Sequence, residues 1–338
     1  MTGIGAVVAA VIAFTVTSIL GIFLIPYLKR LKYGQSIKEI GPTWHRKKQG
    51  TPTIGGIMFI IGILAAVMVV VTFSRNLHFE EIRVERSRII SGMIMAILFS
   101  LIGFADDYIK VVKKRNLGLT ASQKLVLQII AASLFLVSEY SNGNQETTLL
   151  VPFTNLQFNL HAFYWPVALF IIVGTVNAVN LTDGIDGLAA SVTAVVAVAL
   201  MFSAKVLGLT AFAAVCAALA GGCLGFLVWN FYPAKVFMGD TGSLFLGGII
   251  CAIAFGINEP LLLLPFGVIY IMEALSDIIQ VISFKSTGKR VFKMAPIHHH
   301  FEMSGWSETK IVTVFTAITF FFSLAGVLWL MSTMGYFL

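Results

Sequence analysis

The chain reads as long apolar stretches separated by short polar ones. A helix needs roughly 20 apolar residues to span a bilayer, and ten windows reach about that length: 3–28, 53–74, 89–105, 121–140, 163–181, 187–204, 207–231, 241–258, 261–284 and 310–335. Each predicts a membrane helix. The fourth has a short uncharged core, and Lys124 near its start is expected to snorkel. The ninth carries Glu273, Asp277 and Gln280, four and three residues apart. They form one polar stripe, expected to face a cleft or a neighbouring helix rather than lipid. The segment from Thr147 to Leu160 alternates apolar and polar residues around Pro152, most cleanly along Leu156, Gln157, Phe158, Asn159 and Leu160, and predicts a small external β-hairpin. No internal repeat or low-complexity stretch interrupts the pattern, so residues 1–338 are expected to form a single membrane-embedded unit.

Composition agrees: 58% of the 338 residues are hydrophobic and 12% are charged, which excludes a water-soluble globular domain. The first window is too long for a signal-peptide core and has no basic residue before it, so a permanent helix is expected. Cys216, Cys223 and Cys251 lie in apolar windows without a CxxC pair and read as packing residues. Lysine and arginine are retained on the cytoplasmic side of a membrane, and all but five of the 23 fall in odd-numbered loops. Arg75, Arg83, Arg86, Arg88 and Lys205 remain on the other side. The reading is an all-α polytopic membrane protein of about ten transmembrane helices, both termini outward, with the odd loops in the cytoplasm.

All six aspartates, Asp106, Asp107, Asp183, Asp186, Asp240 and Asp277, fall on that cytoplasmic side. One-sided carboxylates among lysines suggest a site for a metal ion and anionic substrates. Asp106 and Asp107 stand where the third helix leaves the membrane, with Lys110, Lys113 and Lys114 following. Adjacent carboxylates raise each other's pKa and a nearby cation lowers it, which can poise one as a base; the bland reading is a snorkelling charge cluster. Asn177, Asn180, Asp183 and Asp186 crowd a short turn, more than helix capping requires, and suit phosphate, ribose or a hard cation. Asp240, in Phe237-Met238-Gly239-Asp240-Thr241-Gly242-Ser243, serves equally well as a helix N-cap or a ligand. His298, His299 and His300 are consecutive and converge poorly on one tetrahedral zinc, so contacts to a pyrophosphate are preferred. Lys47 and Lys48 before the glycine-bearing start at Gly50 to Gly56 make a weak phosphate cradle. His45, His78 and His161 stand alone as ordinary loop residues.

Five stretches together, GTPTIGG (50–56), FADDYIK (104–110), NAVNLTDGIDGLA (177–189), VFMGDTGS (236–243) and PIHHHFE (296–302), resemble the phospho-N-acetylmuramoyl-pentapeptide transferases. These belong to the polyprenyl-phosphate N-acetylhexosamine 1-phosphate transferase superfamily. The match runs in family order over nearly the full length, with isoleucine in GTPTIGG where methionine is common. The resemblance implies transfer of phospho-N-acetylmuramoyl-pentapeptide from UDP-N-acetylmuramoyl-pentapeptide to undecaprenyl phosphate, giving lipid I and UMP in peptidoglycan synthesis, with Mg²⁺. It implies a bacterial inner-membrane protein with a cytoplasmic active site and periplasmic termini, commonly a homodimer, with no nucleic acid partner. By motif, Asp240 would bind Mg²⁺, Asp106 and Asp107 would handle the lipid phosphate, and His298, with His299 and His300, would contact the donor pyrophosphate. Asn177, Asn180, Asp183 and Asp186 would belong to the nucleotide cleft, and Lys48, Thr53, Lys110, Lys114, Asn230, Phe237 and Gln280 would bind substrate. A sister transferase using another UDP-sugar would share every motif except PIHHHFE. A secondary transporter would instead place ionisable groups near the bilayer midplane in broken helices.

Overall fold

The computed structural model describes residues 3–31, 48–75, 80–112, 118–154 and 156–336. Twelve helices and one two-stranded ladder follow in order among them: α1 Gly3–Arg30, α2 Gly56–Arg75, α3 Glu80–Val112, α4 Ala121–Ser141, β1 Thr148–Leu150, β2 Gln157–Asn159, α5 Tyr164–Thr182, α6 Leu188–Val206, α7 Thr210–Asn230, α8 Gly239–Gly256, α9 Leu263–Phe266, α10 Val268–Thr287, α11 Ile297–Glu302 and α12 Glu308–Thr333. Helix dominates because lipid offers the backbone no hydrogen-bond partner, so a spanning segment must satisfy its own amides. Polar signals set the ends: Thr120 and Gln123 form a reciprocal capping box at α4, and Ser307 caps α12.

Eight of the described helices are long and apolar enough to cross a membrane, or nine if the bent pair around Gly267 is one span; α2 contributes a shorter apolar helix over Gly56–Thr72. The ten expected windows thus all hold helix, with two corrections. The ninth window is not one continuous rod, since Pro260–Phe266 and Val268–Thr287 meet at 80°. Pro265 and Gly267 fall together at that break, and neither favours an uninterrupted helix. The third helix is also longer than its window, 33 residues, so Asp106 and Asp107 lie within its last turns rather than beyond its end. Hydropathy marks the part of a helix that lies in lipid, whereas hydrogen bonding continues past it.

The centre of the bundle is α7 and α8, buried along almost their whole length. Small residues let neighbours approach them closely: a Cβ on Gly221 or Gly225 would strike the α1 backbone. Between α3 and α4, buried Glu139 accepts from Ser91 Oγ at 2.6 Å and from Asn144 Nδ2 at 3.1 Å. The segment expected to form a hairpin holds an antiparallel ladder, with Thr148 opposite Asn159, Leu149 opposite Phe158 and Leu150 opposite Gln157.

Candidate functional site

The site is assembled where α3 passes the N-terminus of α8. Gly103 makes this possible, since a Cβ there would overlap the backbone of Asp240 and Thr241. One turn later Asp107 reaches the first peptide groups of α8. Its Oδ1 accepts from Asp240 N at 3.2 Å, and its Oδ2 accepts from Thr241 N at 2.9 Å and Thr241 Oγ1 at 2.7 Å. Asp107 therefore caps α8 from another helix, a favourable place for a carboxylate. Asp240 is not the N-cap. It sits in the first turn of α8, where Met238 occupies the cap position without a side-chain bond.

Freed of capping, Asp240 gathers cations and amides. Lys110 and Lys124 donate to its Oδ2 at 3.1 and 2.9 Å, and Asn180 donates to its Oδ1 at 2.9 Å and to Ser243 Oγ at 2.7 Å. Lys110 also pairs with Asp106, whose Oδ1 accepts from Leu119 N at 2.7 Å. Asp106, Asp107 and Asp240 each offer an oxygen within 4.8 Å of the others. Asp106 and Asp240 offer oxygens suited to a hard divalent cation, with Asp107 beside them but held by the start of α8.

Asp183 closes α5 beside this cluster. Burial first, and then the charges of Asp240, Asp107 and Asp186, hold its carboxyl well above the usual carboxylate range. Among the described residues its side chain has no hydrogen-bond partner. Asp186 differs: Lys48 Nζ lies 2.7 Å from its Oδ1 and 2.6 Å from Glu308 Oε2, Ala234 N donates to its Oδ2 at 2.9 Å, and its own N–H donates to Glu308. Asn230 anchors the same turn, accepting from Gly187 N at 3.1 Å and donating to Val236 O at 2.9 Å.

Other candidates also shape the cleft. Phe237 exchanges backbone bonds with Pro52 and Gly55, which brings buried Thr53 next to Gly239. Gln280 holds Val291 and Phe292 through three bonds of 2.9–3.0 Å. Asn177 pairs its amide with Gln128 and with Val173 O. The polar stripe of α10 meets expectation at Glu273, which is fully buried and lies 3.0 Å from His298 Nδ1. The three histidines occupy a short helix and diverge: His299 Nδ1 meets Glu302 at 2.6 Å, and His300 Nδ1 accepts from Lys293 N at 3.1 Å. His298 Nε2, buried and unpartnered, faces Gly184, whose missing Cβ leaves room for the ring. Lys114 lies outside the described residues.

Residues 89–258 match the model of a family described as glycosyl transferase family 4. The chain is 48% identical over 316 residues to a phospho-N-acetylmuramoyl-pentapeptide-transferase of Clostridium perfringens (strain SM101 / Type A), covering 94% of each. A protein of the same name from Bacillus cytotoxicus is 47% identical over 323 residues, 96% of this chain and 97% of that one. A third, from Desulforamulus reducens, is 48% identical over 324 residues, 95% of this chain and 94% of its own. The chain belongs to the phospho-N-acetylmuramoyl-pentapeptide-transferase family.

Sequence reasoning missed three contributors to the site of this transferase. Lys124 does not snorkel away but joins Asp240. Glu308 completes the contact of Lys48 with Asp186 from 260 residues away, and Gln128 occupies Asn177. Only an unmatched lysine in each case hinted at the first two, and no spacing along the chain identifies their partners.

Proposed function

We propose that this chain transfers phospho-N-acetylmuramoyl-pentapeptide from UDP-N-acetylmuramoyl-pentapeptide to undecaprenyl phosphate, giving lipid I and UMP, at the cytoplasmic face of the bacterial inner membrane, as a homodimer. The observation that carries this reading is the meeting of Asp106, Asp107 and Asp240 with Lys110 and Lys124, in a chain related along nearly its whole length to transferases of that name. Two phosphorylated substrates repel each other, and a cluster of fixed cations offsets that repulsion.

Asp240 would hold Mg²⁺, with Asp106 within reach. When bound there, the ion would neutralise charge on phosphate oxygens and on the departing UMP. Lys110 and Lys124 neutralise the same charge. Asp106 orients the lipid phosphate, or takes its proton, as its oxygen attacks the β-phosphorus of the donor and the bond to UMP breaks. Both oxygens of Asp107 are engaged by α8, which favours direct attack over a covalent aspartyl intermediate. Asn180, Asp183, Lys48 and Thr53 line the nucleotide cleft. His298 Nε2, buried, unpartnered and facing the turn bearing Asp183, is the nitrogen left to meet the donor pyrophosphate.

The test is purified chain with both substrates and Mg²⁺, following UMP release and the lipid product. Asp240→Asn is expected to lose turnover by about 100-fold or more in protein that remains folded, and exhaustive chelation should abolish wild-type turnover reversibly. Turnover that survives chelation, or preference for a different UDP-sugar, would overturn the assignment.

A further inference from the structure

At the end of the bundle away from the carboxylates, the connection from α4 to α5 forms the β1–β2 hairpin. The first turn of α4 places Lys124 on Asp240, so the other end of α4, at Ser141, leads into the hairpin at the far side of the bundle.

Residues directly opposite one another in an antiparallel ladder project from the same face. Leu149 faces Phe158, and the bond from Val151 N to Leu156 O extends the register by one pair. One face of the hairpin therefore carries Leu149, Val151, Leu156 and Phe158, and the other carries Thr148, Leu150, Gln157 and Asn159, polar at every position but Leu150. Leu149 is buried, so the apolar face is turned toward the bundle. Phe158 shares that face and is 51% exposed, and Leu156 is 56% exposed. Leu149 of β1 thus packs on protein, whereas Leu156 and Phe158, which point the same way, keep about half of their surface uncovered by the described residues.

The tip adds a second sign. Phe153 has φ 64° in a turn closed by Thr154 N to Val151 O at 3.2 Å. Glycine is the residue that adopts such a conformation freely, and a bulky one there is strained. Its ring approaches Trp329 of α12 at 6.1 Å but remains 53% exposed. Between Ser141 and Tyr164 the only Asp, Glu, Lys or Arg is Glu146. A loop held up in water is normally polar; this one is apolar on one face and fixed at both ends to membrane spans.

We propose that the hairpin is an interfacial anchor whose partner is the bilayer itself. Leu156, Phe158 and Phe153 enter the boundary between headgroups and acyl chains, while Gln157 and Asn159 remain in water. The arrangement is the two-stranded counterpart of an amphipathic helix lying on a membrane, and aromatic rings favour that depth.

Spin labels on the full chain in lipid nanodiscs test it, placed singly through Phe158→Cys and through Gln157→Cys, its neighbour on the opposite face. Cys216, Cys223 and Cys251 are buried, and unsubstituted protein carried through labelling gives the background. The ratio of collisions with oxygen to collisions with a water-soluble nickel chelate should be several-fold higher at 158 than at 157. Leu156→Cys repeats the measurement if the Phe158 variant fails to fold, and should behave like 158. Equal, water-like ratios at 156, 157 and 158 would overturn the proposal. So would residues 156 and 158 shielded from both probes, which would indicate a protein partner or a second copy.

Discussion

At residue scale the carboxylates divide into those that build the site and those left available to ligand. Asp107 and Asp186 are saturated by the protein, through the N-terminus of α8 and through Lys48 and Ala234. Asp183 is not. Gly184, beside it, has a role that only its missing side chain explains, because a Cβ would meet the His298 ring. Gly184→Ala is therefore expected to displace either the turn or the imidazole. Overpacking of this kind costs about 1–3 kcal/mol of stability, read as a lower melting temperature, and displacement of His298 should lower kcat as well. Steady-state UMP release by folded protein checks it, and unchanged kcat would separate Gly184 from the chemistry. Five of the six aspartates sit in motifs, and the structure gathers Asp106, Asp107 and Asp240 into one cluster. The sequence could not reveal which of them the fold consumes, because Asp107 and Asp240 are 133 residues apart and no pattern along the chain reports who caps whom.

At the scale of elements, hydropathy located every span and misread two of them. The stretch 261–284 looks continuous because the residues around Pro265 and Gly267 are as apolar as their neighbours; the 80° bend comes from backbone chemistry that hydropathy does not register. The connection into this bent pair carries Glu259, whose carboxyl burial pushes up to about 7 from 4.5. Its folded state holds the proton more tightly than the unfolded chain. Stability is then fully present below about pH 4.5 and falls as pH rises through 7, by about 3 kcal/mol in total. Thermal unfolding in detergent between pH 4.5 and 8 should show a decline that Glu259→Gln flattens. Parallel profiles for the two proteins would remove Glu259 as the cause.

For the whole molecule, the expected orientation rests on the distribution of basic residues, because cationic loops resist translocation whatever the fold. A cysteine at exposed Gln145, beside the hairpin, should react with an impermeant thiol reagent in intact cells, and one at exposed Ser286, in the last turn of α10, only after permeabilisation. The reverse pattern would put the aspartates on the wrong side for a nucleotide donor. How the loops meet was not legible, and Lys48, Asp186 and Glu308 show why: three segments far apart in the chain converge on one ion cluster. That cluster has a consequence for biogenesis. A ribosome delivers Lys48 and Asp186 well before Glu308, which opens α12. A nascent chain halted before residue 308 holds two of the three partners, leaving Lys48 without its second carboxylate and the Asp186 N–H without its acceptor. Assembly of the cleft is thereby deferred until α12 emerges, so a product truncated before it carries every aspartate of the site and still lacks the finished one.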